Sequence, residues 1–332
     1  MTELPYIDWE QAVRVGRKAV HPGPELTPAQ ITEVVGALRA AADEAPGHVA
    51  EVSGMHAPAV AETLVVDRAS WIAAMRTSAK AMTAALGAPV SPADPADQLR
   101  GRAIGVQAGA VFAVIAGRIL GQFDPFGEPS RLLLVAPNVV AVERQLGVDK
   151  ADFRLWVCLH EYTHRAQFGF APWLPGHLLR LMKEIIDPAE HRRADGRPRT
   201  KPAKAGLPSI ADLVIGPEQR EAFDQVTAIM SVIEGHADVM MDRVGTAVIP
   251  TLPAIRKAFE GHRDRGGWSG VVGKLLGMDL KREQYRDGAR FCSAVLDQAG
   301  LEVLNLAFSA PAALPTLTEL HEPRQWLQRV QA

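Results

Sequence analysis

LWVCLHEYTHRAQF, Leu155 to Phe168, decides how this chain is read. At about 100° per residue a helix puts His160 and His164 on one face, one turn apart. Two imidazoles so placed can converge on one zinc ion, while Glu161 beside them is set to take a proton from a zinc-bound water. The pattern has two free positions, so a pair of ordinary hydrogen-bonded histidines would satisfy it too. The flank argues against that. Leu155 to Leu159 are all apolar, which predicts a helix buried on most sides. A carboxylate and two imidazoles in such a helix need partners, because burying unpaired polar groups costs about 2–7 kcal/mol each. A metal would be that partner. Cys158, on roughly the opposite side from His160, reads as packing.

A third ligand has to come from elsewhere, since Gln167 and Phe170 stand where the extended metzincin spacing needs glycine and histidine. The segment SVIEGHADVMMD, Ser231 to Asp242, offers it. Phe223, Val226, Met230, Ile233, Ala237, Met240 and Val244 form a wide apolar stripe. Glu234 and Asp238 lie one turn apart beside it, with the small Thr227 and Ser231 leaving room for another helix. Glu234 would complete the coordination, and Asp238 would orient a ligand histidine through its other ring nitrogen. His236 competes with Glu234 as ligand, but lies about 200° round the helix from it. An acid beside an apolar stripe can equally be salt-bridged.

This pair of segments resembles the gluzincin metallopeptidases. Together LHEYTH, EGHAD, LLLVAPNV and REQYRDGARF resemble an actinobacterial family of zinc-dependent metalloproteases often associated with biosynthesis of a deazaflavin coenzyme. The likeness runs from about Ile7 to the region near Leu306. It implies a zincin-like fold, zinc held by His160, His164 and Glu234, and Glu161 as base. The long interval between His164 and Glu234 departs from familiar gluzincins.

Composition bounds the rest. The chain has 332 residues, 47% apolar and 22% charged, long enough for a substantial core. A net charge of -2, from 36 Lys and Arg against 38 Asp and Glu, gives no sign of a nucleic-acid or anionic-membrane partner. Two cysteines exclude a disulfide scaffold and favour a reducing compartment. The N-terminus lacks a signal pattern. The longest apolar run, Ala103 to Gly117, is 15 residues against the roughly 20 that span a bilayer, so it reads as a buried small-residue helix. The expectation is a cytoplasmic protein.

Helical signals dominate: Thr27-Pro28 as a cap and first-turn proline, a helix bearing Trp71, Met75 and Met82 that ends before Gly87, and a loop over Pro89 to Gln98. Arg131 to Pro137 is the clearest strand, expected to line the cleft and pair with an extended peptide. Asp149 should cap the motif helix in a capping-box-like arrangement with Asp152. The predicted fold class is mainly α (α+β), one zincin-like domain. Its helical part runs to about residue 125 and its catalytic part over about 126–306, with a mobile charged loop at 187–208. Tyr285 is the first candidate for the oxyanion donor and His262 the second. The expected substrate is a peptide or protein. The competing readings are a zinc-stabilised binding or assembly protein and a zinc hydrolase of a non-peptide amide. An intact Glu161 favours catalysis, because a purely structural site has no use for a base.

Overall fold

Leu132, Leu133, Leu134 and Val135 follow one another without a polar residue, as a strand covered on both faces requires. The computed structural model describes residues 4–56, 62–186, 217–263 and 282–331. The charged segment 187–208 lies outside them. In chain order the elements are α1 (Trp9–Ala19), α2 (Pro28–Ser53), β1 (Glu62–Val66), α3 (Arg68–Ala85), α4 (Pro95–Ala116), β2 (Gly121–Asp124), β3 (Arg131–Val135) and α5 (Ala136–Leu146). Then come α6 (Lys150–Phe170), α7 (Leu174–Ile186), α8 (Pro217–Val248), α9 (Leu252–Arg263), α10 (Arg282–Asn305), α11 (Leu317–His321) and α12 (Pro323–Gln331). The fold is mainly helical around one small sheet.

The sheet order is β1-β3-β2, with β1 parallel and β2 antiparallel to β3. Alternation along β3 sends Leu133 and Val135 to one face, against Trp71, Ile72 and Met75 of α3. Leu132 and Leu134 go to the other, against the core built by α2, α6 and α8. The expectation that β3 would pair with a peptide is therefore corrected: both its edges are already hydrogen-bonded. β2 is the edge strand on the side of α6. Neither β1 nor β2 carries a pattern that announces it. ETLVV is short, and GQFD is mostly polar.

Thr27 and Gln30 form a full capping box at α2. Asp149 caps α6, accepting from the Asp152 N–H at 3.0 Å. The Asp152 carboxylate does not close the box, however. It accepts from the Thr251 N–H and hydroxyl at 2.7 and 2.6 Å, tying the start of α6 to the start of α9. A buried fork does the same for α5: Arg154 donates to both oxygens of Glu143, at 3.0 and 2.8 Å.

Ala103 to Gly117 does lie on a helix, but α4 starts earlier, where Asp94 caps it ahead of Pro95. The expected loop over Pro89 to Gln98 is thus four residues shorter. One face is buried as expected: a Cβ on Gly105 or Gly109 would come within 2.4 Å of a backbone oxygen of α1 or its cap. The opposite face is not, since Val106 and Val114 stay exposed. At 22 residues α4 is long and apolar enough to cross a membrane by length and composition, which the shorter span read from sequence was not.

α8 and α10 meet backbone to backbone. A Cβ on Gly288 would lie 1.9 Å from the Ser231 carbonyl, so the small residues of α8 make room for a helix, as the sequence suggests.

Candidate metal centre

Within α6 the apolar residues ahead of the motif are all buried, from Phe153 through Leu159. Phe153 stacks on Trp156 with centroids 5.9 Å apart, and Trp156 stacks on the His160 ring at 6.1 Å. The aromatic ladder holds the first histidine in one plane. His164 meets it edge-on, centroids 4.6 Å apart, so their Nε2 atoms approach to 3.1 Å.

α8, packed against α6, brings Glu234 to the same point. Its Oε2 lies 3.7 Å from Nε2 of His160 and its Oε1 3.9 Å from Nε2 of His164. The three residues can hold a metal ion. Ligands about 2.0–2.1 Å from a tetrahedral zinc stand about 3.3 Å apart; the two imidazole nitrogens are close to that at 3.1 Å, and each has a different Glu234 oxygen slightly farther off. Burial, then the charges of His164 and Arg256, hold His160 well below the usual imidazole range, leaving the neutral ring a metal ligand must be. Both rings keep 12% of their side-chain surface exposed and Glu234 keeps 29%, so the cluster opens to solvent on one side.

Glu161, next to His160 on α6, is 2% exposed. β2 closes over it. A Cβ on Gly121 would lie 2.6 Å from its Cγ and 2.9 Å from its Cδ, so any larger residue there must displace Glu161. The Phe123 N–H donates to its carboxylate and favours the charge. Burial first, then the nearby charge of Glu234, outweigh that bond and push the Glu161 carboxyl well above the ordinary carboxylate range. A carboxyl whose affinity for a proton is raised in this way is better suited to accept one, as a general base does.

Asp238 sits one turn beyond Glu234, but its carboxylate accepts from Arg256 at 3.1 Å, and Arg256 also donates to its carbonyl at 2.7 Å. The contact seen at Asp238 is thus with the long Arg256 side chain reaching from α9, not with a histidine. The partner of His164 is Gln167, whose Oε1 lies 3.0 Å from Nδ1. The sequence reading missed it, although a residue three positions on shares the helix face. His236 turns away from the cluster, as its angle from Glu234 predicted, and is fully buried against Gln167 and Phe308. Burial pushes its pKa down to about 4, so the ring is neutral. Tyr285 and His262 lie on α10 and α9, and their side chains fall outside the described residues. Cys158 is buried against α2, consistent with packing.

Residues 7–327 match the zincin-like metallopeptidase family. The chain belongs to that family. A zincin-like metallopeptidase implies zinc, and the convergent donors of α6 and α8 are the group that could hold it. Among solved structures, one from Chloroflexus aurantiacus, described as "a putative hydrolase with a novel fold", is similar at 28% identity. The match covers 98% of this chain and 99% of that one with a TM-score of 0.71. No curated protein matches the sequence. Family and neighbour both point to hydrolytic chemistry.

Proposed function

We propose that this zincin-like protein is a gluzincin-type hydrolase that cleaves an amide bond in a peptide, with His160, His164 and Glu234 holding zinc and Glu161 carrying the proton. The observation that supports this most is the convergence of those three donors beside a buried carboxyl of raised pKa. A zinc site that serves folding alone usually has four protein ligands. Among the described residues this cluster has three. Bound zinc supplies an electrophile for the carbonyl and a water acidified to a pKa of about 7.

Glu161 takes the proton from the attacking water and returns it to the departing amine nitrogen. Its raised pKa lets it hold the proton between those steps, and the Phe123 N–H keeps the carboxylate in place when charged. The Trp156 stack fixes His160 while Glu234 approaches from a separate helix, so the donors are aligned before substrate arrives. The narrower kinship with the actinobacterial, deazaflavin-associated family rests on the four sequence segments quoted above.

Metal analysis of the purified full chain, with a fluorogenic peptide library, tests the reading. One zinc per chain and hydrolysis that Glu161→Gln abolishes while zinc is kept would support it. A chain without zinc, or one that keeps zinc when His160 and Glu234 are both replaced by alanine, would refute the site. Zinc held with no peptide cleaved would refute the substrate class.

A further inference from the structure

Three polar side chains or carbonyls inside the core have no part in the chemistry above: Gln167 and His236, both fully buried, and the backbone carbonyl of Ile233. They form one string ending on a ligand. The Gln167 amide nitrogen donates to the Ile233 carbonyl at 2.8 Å and lies 3.0 Å from Nδ1 of His236. Its oxygen lies 3.0 Å from Nδ1 of His164.

The direction of the string follows from its fixed end. A backbone carbonyl can only accept, so the amide group facing Ile233 must be NH2. The two amide hydrogens then serve the Ile233 carbonyl and Nδ1 of His236, and the remaining end facing His164 must be the oxygen. An oxygen can only accept, so His164 must present N–H at Nδ1 and a lone pair at Nε2. Nε2 is the atom that meets His160 and Glu234. Without His236 and Ile233 the amide could turn over and offer NH2, which would favour the opposite tautomer and place a proton where the metal belongs.

We propose that Gln167, its amide orientation locked by Ile233 and His236, is the positioning residue that holds His164 as the Nδ1–H tautomer with Nε2 ready for metal. This deepens the zinc reading and rests on His164 being a ligand. The hydrogen bonds alone carry the orientation. Outer partners of metal-bound histidines typically contribute about 10–100-fold in affinity.

The test is long-range proton–nitrogen NMR of the imidazoles in the full chain stripped of metal, followed by zinc titration against a competing chelator. The expected result is Nδ1–H at His164 in the wild-type chain. Gln167→Met, similar in shape but unable to accept from N–H, should give mixed tautomers and zinc binding weaker by about 10–100-fold. Gln167→Glu keeps an acceptor toward His164 but turns an oxygen on the Ile233 carbonyl, so it should restore the Nδ1–H tautomer while lowering stability. Nε2–H at His164 in the wild-type chain would overturn the proposal, whether or not any variant folds. So would unchanged tautomer and affinity in a folded Gln167→Met. If the wild-type chain binds no zinc, the zinc reading fails while the tautomer still decides the role of Gln167.

Discussion

Replacing Gly121 by alanine adds one methyl group against the proposed base. The new Cβ would stand 2.6 Å from Cγ of Glu161, 2.9 Å from Cδ and 3.0 Å from Oε1. Carbon atoms rest at about 3.5–4.0 Å, so close to 1 Å of overlap must be relieved. β2 is poorly able to give. Gly121 pairs with the fully buried Leu134, and the Val135 N–H donates to the Leu120 carbonyl at 2.8 Å. Glu161 has to move, and since the worst contact is at Cγ, turning the carboxylate alone does not relieve it. Misplacing a reacting group by about 1 Å costs on the order of 100-fold in rate, or about 2.7 kcal/mol of transition-state stabilisation. Overpacking should also lower stability by about 1–3 kcal/mol. The three nearest atoms to the new methyl all belong to Glu161, so zinc should be retained. The assay is turnover of the best peptide from the library, with zinc content and chemical denaturation measured on the same preparation. Wild-type turnover in Gly121→Ala, or a loss of turnover that follows zinc loss in proportion, would refute the placement of Glu161 under β2.

Glu143→Ala leaves Arg154 charged and 5% exposed without its fork, so urea unfolding should show a loss of about 3–5 kcal/mol. Gly288→Ala drives a methyl into the Ser231 carbonyl one turn before Glu234. It should cost at least the upper end of the ~1–3 kcal/mol of ordinary overpacking and weaken zinc binding, by thermal melt and chelator competition. Burial pushes the Glu319 carboxyl up, but Arg329, donating to both its oxygens, and the Thr316 N–H outweigh that and bring it below its ordinary 4.5. Its contribution is therefore present above pH 4.5 and lost as pH falls through the depressed value. Glu319→Gln should flatten stability against pH in that acid window and leave the neutral range parallel to the wild-type chain.

What could be read from the sequence was whatever repeats within a helix. His160 and His164 share a face because of helical period alone, and Glu234 stood out as an acid on the rim of an apolar stripe. Thr27 announced the cap of α2, and the apolar run of β3 announced a strand, though not that both its edges would be paired. What escaped depends on which distant segment arrives. Nothing in GQFD says that Gly121 will press on Glu161, because the requirement for glycine is set by a helix that comes later in the chain. Asp238 showed the right spacing to orient a histidine, yet nothing in the sequence says that Arg256, 18 residues away, will bond its carboxylate. Gln167 was visible as an amide on the ligand face. Its meaning needed Ile233 and His236, which only packing of α8 on α6 brings within reach.

The two supports of the site are carried by different elements, and this separates their failures. β2 restrains the base through Gly121 and Phe123; α8 restrains the ligand His164 through Ile233, His236 and Gln167. Gly121 and Gln167 share no partner in these contacts, and changes at sites without shared partners add within about 0.3–0.5 kcal/mol. The double variant Gly121→Ala/Gln167→Met should therefore bind zinc as weakly as Gln167→Met alone. Once saturated with zinc, it should turn over peptide as slowly as Gly121→Ala alone. Zinc affinity in the double variant well below that of Gln167→Met would mean that β2 also shapes the ligand set, and the division between base and metal support would be wrong.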